Sequence, residues 1–317
     1  MTTITTRRNL LFCVGLMFLA TFMCVVVIIS MFFSFDISQK GYPTSKEFIG
    51  FIVSIVLLFF LISMIYSYWK NSPKITINED TIKIGKQIFY FKEIKEIELT
   101  GKQFWRFIIK SPIEGTALIF NDGTKKVFFD IMYSNSSEIK LFIKQVILDK
   151  QEYNQTLINK VNRDTIRFEI EEIFKGNQFL SFRGILLWGF IGSWIFSIFS
   201  WYERQILTMG LLIFSITFCV AWFVLFSWQM HYFGLTNEYL IVRNHNFLWM
   251  KRIYRLSDIK EVVFEERGRA PNSMRIITTD FKNKLYPAGT LRNKTWLRME
   301  ESLEKRGVEV RNELLIW

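Results

Sequence analysis

Residues 78–99 read NEDTIKIGKQIFYFKEIKEIEL, and a second copy of this pattern occurs at residues 237–264, NEYLIVRNHNFLWMKRIYRLSDIKEVVF. In both copies an Asn-Glu pair opens an alternation of apolar and polar residues, which is typical of a β-strand with one buried face. A second strand then leads into a similar frame, FKEIKEIEL or LSDIKEVVF, and a long apolar block precedes each copy. The sequence therefore predicts an internal duplication whose repeating unit is a membrane segment followed by a strand-rich domain.

The composition indicates a protein that contacts lipid. Hydrophobic residues make up 50% of the 317 residues and aromatic residues 17%, more than two small soluble cores would bury. The net charge of +11 fits the Lys and Arg that flank the cytoplasmic ends of membrane spans. We expect no nucleic-acid partner, because the basic residues are interspersed with Asp and Glu rather than gathered in one stripe.

Four apolar runs predict four membrane-spanning helices in two hairpins. The first predicted hairpin covers residues 1–70, with spans at about 10–35 and 48–69, and a strand-rich domain follows at 71–150. After a polar linker at 151–182, the second hairpin covers 183–230, with spans at about 184–200 and 206–228, and a second strand-rich domain follows at 231–317. Arg7, Arg8, Lys70 and Lys74 flank the outer ends of the first hairpin. The positive-inside rule therefore places both termini in the cytoplasm, at the inner (plasma) membrane.

Each strand-rich domain is predicted to be a small β-barrel or a pair of orthogonal sheets, with a C-terminal helix closing one end. Short β-rich runs fill the first copy and are separated by turn signals such as Asn121-Asp122-Gly123. The apolar period then changes to that of a helix, with Ile139, Phe142 and Ile143 on one face. The second copy is predicted to end in a helix over residues 293–305, with Trp296, Leu297 and Leu303 toward the core.

The segments FGLTNEYLIVR, RIYRLSDIKEVVF and MRIITTDFKNKLYPAG carry a resemblance to a known family. With the terminal helix, they make the chain resemble bacterial membrane proteins that carry pleckstrin-homology-like (PH-like) domains directly after transmembrane helix pairs. The resemblance implies a fold class of membrane α plus soluble α+β. In this fold two tandem units each consist of a transmembrane helical hairpin followed by a PH-like β-barrel with a C-terminal helix. It also implies a membrane location and no enzyme chemistry.

The sequence offers few groups for catalysis or for binding a cofactor. His231 and His245 are the only histidines, so a His cluster for a metal is excluded. Neither a GxxxxGK[ST] nor a GxGxxG loop is present. The predicted spans lack the ionisable side chains that mark ion and proton pathways. We therefore predict a protein that is neither an enzyme nor a transporter and has no cofactor.

Two binding functions remain open. In the first, the PH-like domains are protein-binding or scaffold modules for an unidentified protein or for a second copy of the chain. In the second, they bind anionic lipid head groups at the inner membrane face. The candidate contact residues are Arg243, Lys251, Arg252, Arg255, Trp249, Arg267 and Arg269, with Lys83 and Lys86 as weaker counterparts in the first copy. The alternative interpretation is that these cations lie on a solvated strand face and that residues 247–250 form a strand with one buried face.

Overall fold

A computed structural model describes residues 3–12, 14–15, 17, 21, 45–106, 110–155, 158, 171–206, 208–266 and 270–314. The chain divides into two compact units. Unit 1 is Met1–Gln155 and unit 2 is Thr156–Trp317. Each unit has a hydrophobic core of its own, built from sheet residues and from the helix near its C-terminal end.

Unit 1 combines a long helix with two antiparallel sheets and a short helix. The helices are α1 (Ser45–Asn71) and α2 (Ser136–Phe142), and α2 continues into a π-helical turn (Ile143–Leu148). The strands are β1 (Ile4–Thr5), β2 (Ile75–Ile77), β3 (Thr81–Ile84), β4 (Gln87–Tyr90), β5 (Ile94–Glu98), β6 (Lys102–Arg106), β7 (Lys110–Phe120) and β8 (Lys125–Phe129). One sheet has the order β1-β2-β3-β4, and in the other β7 pairs with β5, β6 and β8.

Unit 2 combines two long apolar helices with two further sheets and a terminal helix. The helices are α3 (Phe182–Glu203), α4 (Met209–Ser227) and α5 (Asn293–Glu304). The strands are β9 (Glu172–Phe174), β10 (His231–Leu235), β11 (Tyr239–Asn244), β12 (Lys251–Arg255), β13 (Ile259–Glu265), β14 (Ser273–Thr278), β15 (Asn283–Pro287) and β16 (Val310–Glu313). The sheet orders are β12-β11-β10-β9 and β15-β14-β13-β16, and β16 is parallel to β13.

The repeated phrases FKEIKEIEL and LSDIKEVVF form the corner between the two sheets of each unit. Phe91–Glu93 and Leu256–Asp258 are single 3₁₀ turns, and the chain leaves them as β5 and β13 of the second sheet. The strand register then shifts between Ile94 and Glu96, and it shifts at the equivalent residues of unit 2. Because a bulge of this kind bends a strand, both corners have the same local cause.

The predicted fold class of two tandem hairpin-plus-barrel units is wrong. Among the described residues, the helices long and apolar enough to cross a membrane are α3 and α4, which are adjacent and both belong to unit 2. Most of the predicted span 10–35 lies outside the described residues. The predicted span 48–69 falls in α1, which is not among these two helices; the apolar part of α1 over which side chains are continuously described is Ile55–Asn71.

An apolar run indicates lipid contact only where protein does not cover it, and protein covers α1 in part: Phe59 and Ile62 are exposed. In α1, Leu61, Met64 and Tyr68 are buried, and Tyr68 packs in the core of unit 1 with residues of both sheets. The apolar pattern of this segment therefore arises partly from protein packing. Run length alone does not distinguish these two causes.

Of the two layouts predicted for the strand domains, the described residues do not form the closed barrel. In each unit the described strands form two separate four-stranded sheets, because the 3₁₀ turn and the register shift interrupt strand pairing at the corner. Strand β9 lies inside the predicted polar linker, and β16 follows the predicted terminal helix. In α5, Trp296 and Leu303 are buried as predicted, whereas Leu297 is exposed.

Candidate membrane-facing site

The β11–β12 hairpin is attached to the C-terminal end of α4. The side-chain amide of Asn244, at the end of β11, donates to the Ser227 carbonyl oxygen at 2.8 Å. The side-chain amide of Asn246 donates to the Ser227 hydroxyl oxygen, also at 2.8 Å. These bonds place the hairpin loop, residues 245–250, beside the end of a helix that is apolar enough to cross a membrane.

The hairpin loop has an apolar tip. Phe247 is buried, and its ring centre lies 6.3 Å from that of Phe223 on α4. The next two side chains, Leu248 and Trp249, are 84% and 75% exposed. Large apolar side chains exposed side by side mark a contact surface, and Trp is enriched where a membrane meets water.

Other exposed apolar side chains lie at the same ends of the two long helices. Phe179, Leu180 and Phe182 surround the start of α3 and are exposed, as is Trp228 directly after α4. The Asn177 side-chain oxygen accepts hydrogen bonds from the backbone N–H groups of Phe179 and Leu180, both at 2.8 Å, and so holds this turn in place. The apolar surface of α3 and α4 therefore continues into the first residues outside the helices.

Three cations form one row across the outer face of the first sheet of unit 2. Tyr232 pairs with Arg243, and Arg243 pairs with Lys251. Lys175, directly after β9, has its Nζ 5.1 Å from the centre of the Tyr232 ring. Paired residues on adjacent strands lie on the same face of a sheet. We call Lys175, Arg243 and Lys251 the basic row; Arg243 and Lys251 lie where the two strands enter the hairpin loop.

The structure separates Arg252 and Arg255 from the basic row. Arg252 pairs with Val242, whose side chain is in the core, so Arg252 lies on the opposite face of the sheet. Arg255 lies on the same face as Lys251 but at the other end of β12, roughly 13 Å away at 3.3 Å per residue. Of the predicted contact residues, the structure brings together Arg243, Lys251 and the exposed Trp249.

Four predicted contacts remain, two in unit 2 and two in unit 1. Arg267 and Arg269 lie outside the described residues. Lys83 and Lys86 are exposed on the β3–β4 hairpin of unit 1, where Ile84 pairs with Gln87 and leaves a turn of two residues. A turn of this length has no loop that could carry an apolar tip.

Lys175 is the residue of the basic row that sequence reasoning missed. It lies in the predicted linker, directly after the three-residue strand β9. In β9 the side chain of Phe174 is buried and that of Ile173 is exposed, but an alternation of three residues is too short to predict a strand. The pairing of Phe174 with Phe233 establishes it.

Both histidines are buried at this end of unit 2. In His245, Nδ1 is 3.3 Å from Gln178 Oε1 and Nε2 is 3.3 Å from Thr290 Oγ1. In His231, Nδ1 is 2.9 Å from the Pro287 carbonyl oxygen. Burial lowers the pKa of both rings, and it is the largest cause of the pKa of about 4 for His245. Both are therefore neutral at pH 7 and add no charge to the surface.

The described residues contain no group of three His, Cys, Asp or Glu side chains that could hold a metal ion. Neither a comparison with protein-family models nor a search of curated proteins found a match. The resemblance to bacterial PH-like membrane proteins therefore stays a prediction. The site itself consists of an apolar tip beside a row of cations.

Proposed function

We propose that this is a non-enzymatic membrane protein whose unit 2 lies on an anionic lipid surface, with the β11–β12 hairpin in contact with lipid head groups. The observation that carries the proposal is the packing of Phe247 against Phe223. This contact holds the exposed Leu248 and Trp249 next to the end of an apolar helix. If α4 enters the bilayer, the tip lies at the bilayer surface.

The basic row supplies the charge that such a contact needs. Arg243 and Lys251 flank the loop on the outer face of the sheet, and Lys175 extends the row. A cation near an anionic leaflet contributes on the order of 1 kcal/mol. Together with two apolar side chains inserted at the interface, three such cations are enough to hold one face of unit 2 against lipid.

The proposed side of the membrane on which the sheets of unit 2 lie follows from the distribution of cations around α3 and α4. Lys175 precedes α3 and Arg183 lies in its first turn, and Arg243 follows α4 in β11. At the other ends of the helices, Arg204 follows Glu203, the last residue of α3. The positive-inside rule then favours a cytoplasmic position for the sheets of unit 2, at the inner face of the plasma membrane.

The non-enzymatic part of the proposal is supported by the roles of the histidines. His245 contacts Gln178 and Thr290, and His231 contacts Pro287. These contacts fix how β10, the hairpin loop and the β15–α5 connection meet. A general base needs a pKa near the working pH, and burial lowers the pKa of both rings away from it.

A protein-binding or scaffold role is the competing proposal. Strand β12 is the edge of its sheet in the described part of unit 2, and an edge strand is a site where a partner chain adds a strand. Under this proposal Trp249 and Leu248 contact a protein rather than lipid. The two proposals differ in whether the tip touches the bilayer.

The experiment measures the surroundings of residue 248 in the full chain. The native cysteines are replaced by Ser, Leu248→Cys is labelled with an environment-sensitive fluorophore, and the protein is placed in nanodiscs of neutral lipid or of neutral lipid mixed with phosphatidylglycerol. The same label at Asn237, in the turn at the other end of β11, is the reference. We expect a blue-shifted emission at residue 248 only, larger with the anionic lipid.

The role of charge is tested by Arg243→Gln with Lys251→Gln. This pair should remove the extra shift caused by anionic lipid. The control pair Lys284→Gln and Lys305→Gln, which removes two exposed cations outside the hairpin, should keep it. If the label at residue 248 is as hydrated as the label at residue 237 in both lipids, lipid contact is overturned and the scaffold role is favoured. A shift that is equal in both lipids would overturn head-group recognition.

A further inference from the structure

An open groove lies between α1 and the second sheet of unit 1. Its volume is about 570 Å³, which lies within the usual range for ligand sites of roughly 300–1,000 Å³. Its walls are α1 on one side and β6 and β8 on the other. We call it the unit 1 groove; it is separate from the hairpin of unit 2 and does not depend on the function proposed there.

The helical wall of the groove changes from apolar to cationic along its length. Phe59, Ser63, Tyr66 and Lys70 line it, at spacings of four, three and four residues that place them on one face of α1. From Phe59 to Lys70 the helix rises roughly 16 Å at 1.5 Å per residue. The Lys70 ammonium lies 5.9 Å from the centre of the Tyr66 ring.

The sheet wall has the same two kinds of side chain. Phe104 on β6 is 68% exposed, and Lys125 and Lys126 lie at the start of β8. Phe104 pairs with Pro112 of β7, whereas Lys125 pairs with Ile119. Measured along β7, Phe104 is therefore seven positions from Lys125 and six from Lys126.

One backbone and one side-chain hydrogen bond bring the lysines of the two walls to the same end of the groove. The Gly85 N–H donates to the carbonyl oxygen of Lys74, four residues beyond Lys70. Two residues after Gly85, the Gln87 side-chain oxygen accepts from Lys126 Nζ at 2.9 Å. The end of α1 and the start of β8 are thus joined through the β3–β4 hairpin.

The charge at this end is positive. Lys70, Lys125 and Lys126 line the groove, and no carboxylate is among its described lining residues. The nearest acid that contacts them is Glu98, 3.6 Å from Lys125 Nζ in a partly exposed pair, which water screens. Several lysines together form a setting for phosphate, and the exposed aromatic rings form one for a hydrocarbon chain.

We infer that the unit 1 groove binds one anionic phospholipid, with its phosphate at Lys70, Lys125 and Lys126 and an acyl chain along Phe59 and Phe104. A soluble phosphate compound would leave the aromatic part of the groove unused. A neutral amphiphile would leave Lys70, Lys125 and Lys126 with no counter-charge from the ligand. Both parts of the groove are matched only when charge and chain belong to the same ligand.

The test is native mass spectrometry of the delipidated full chain in detergent with added phosphatidylglycerol, phosphatidylcholine of the same chain length, or glycerol 3-phosphate. We expect a one-lipid adduct with phosphatidylglycerol at concentrations that give little adduct with either other compound. Replacing Lys70, Lys125 and Lys126 by Gln should weaken the adduct, by roughly fivefold for each lysine. The unit 2 pair Lys284→Gln and Lys305→Gln, which lies outside the hairpin, should leave this adduct unchanged.

The matched control replaces Lys83, Lys86 and Lys95 by Gln, which removes three exposed lysines of unit 1 outside the groove. Ser63→Trp fills the middle of the groove without changing its charge and should also weaken the adduct. If Ser63→Trp unfolds, Phe104→Ser replaces it in the test. This change removes an exposed aromatic ring from the wall of the groove and should weaken the adduct too. Equal binding of the two phospholipids, or equal loss in the groove and control lysine variants, would overturn the inference.

Discussion

His245 connects the hairpin loop to two other segments of unit 2 through Gln178 and Thr290. Its pKa of about 4 in the folded protein is lower than the 6.5 of an exposed histidine. Between these two pH values the unfolded chain binds more protons than the folded one. The free energy of unfolding therefore decreases as the pH falls through this range.

Replacing this histidine tests that linkage. His245→Gln removes the titrating group and keeps an amide that forms hydrogen bonds. Between pH 6.5 and pH 4 we expect the unfolding free energy of the wild-type protein to fall more steeply than that of the variant, by up to about 1.4 kcal/mol per pH unit. Thermal unfolding followed by tryptophan fluorescence at several pH values measures the two slopes. Equal slopes would contradict a depressed pKa.

The first turn of each strand domain is stabilised in the same way in the two copies of the repeat. Asn78 Oδ1 accepts from the Thr81 N–H at 2.7 Å, and Thr236 Oγ1 accepts from the Tyr239 N–H at 2.9 Å. The Asn-Glu pairs that match in sequence are therefore offset by one residue in the structure. Both side chains satisfy a turn N–H, so the chemistry of the turn is repeated rather than the identity of its residues.

At the scale of elements, the connection from β9 to α3 passes very close to the β15–α5 connection. A Cβ placed on Gly176 would lie 1.8 Å from the Thr290 carbonyl oxygen. Thr290 is also a partner of His245. The absence of a side chain at Gly176 therefore permits the packing that places the start of α3 against the sheets of unit 2.

Adding one methyl group at this crossing should move the two connections apart. Gly176→Ala is expected to lower the free energy of unfolding by about 1–3 kcal/mol, the usual cost of overpacking. The control is Gly189→Ala in α3, where an added Cβ meets nothing within 4 Å, and its effect should stay within about 1 kcal/mol. Thermal unfolding in detergent measures both. A control variant as unstable as Gly176→Ala would contradict the role of the crossing.

At the scale of the whole molecule, α3 and α4 are long and apolar enough to cross a membrane. Many of their apolar side chains are exposed, among them Phe196, Val220 and Leu225. The helices contact each other, as in the stacking of Phe190 on Trp222 with ring centres 4.2 Å apart. Contact along one side leaves the remaining apolar surface for a non-aqueous environment.

A charge on that surface tests where the helices lie. Val220→Arg, near the middle of α4, should reduce membrane insertion, because Arg at the centre of a span costs about 2.5–3.5 kcal/mol. Leu297→Arg, at an exposed position of α5, is the matched control and should leave the distribution unchanged. Fractionation of cells, followed by quantification of the chain in membrane and soluble fractions, measures the difference. Equal membrane fractions for the two variants would contradict a spanning position of α4.

The sequence by itself determined those structural elements that depend only on residues close together along the chain. The runs that became α3 and α4 are uncharged over their length, and the phrases at Phe91 and Leu256 form the same corner because their local turns and bulges are alike. These elements follow from hydrophobic pattern and turn chemistry within a few residues.

Only the tertiary structure decided which distant residues share a surface. Arg243, Lys251 and Arg252 look alike in a basic sequence, but strand pairing places Arg252 on the other face and adds Lys175 from an unrecognised strand. Burial of Tyr68 likewise shows that part of α1 packs on protein. A change of one residue in strand register moves a side chain to the opposite face of the sheet. The site is therefore defined by how remote segments pair, and no local sequence pattern contains that information.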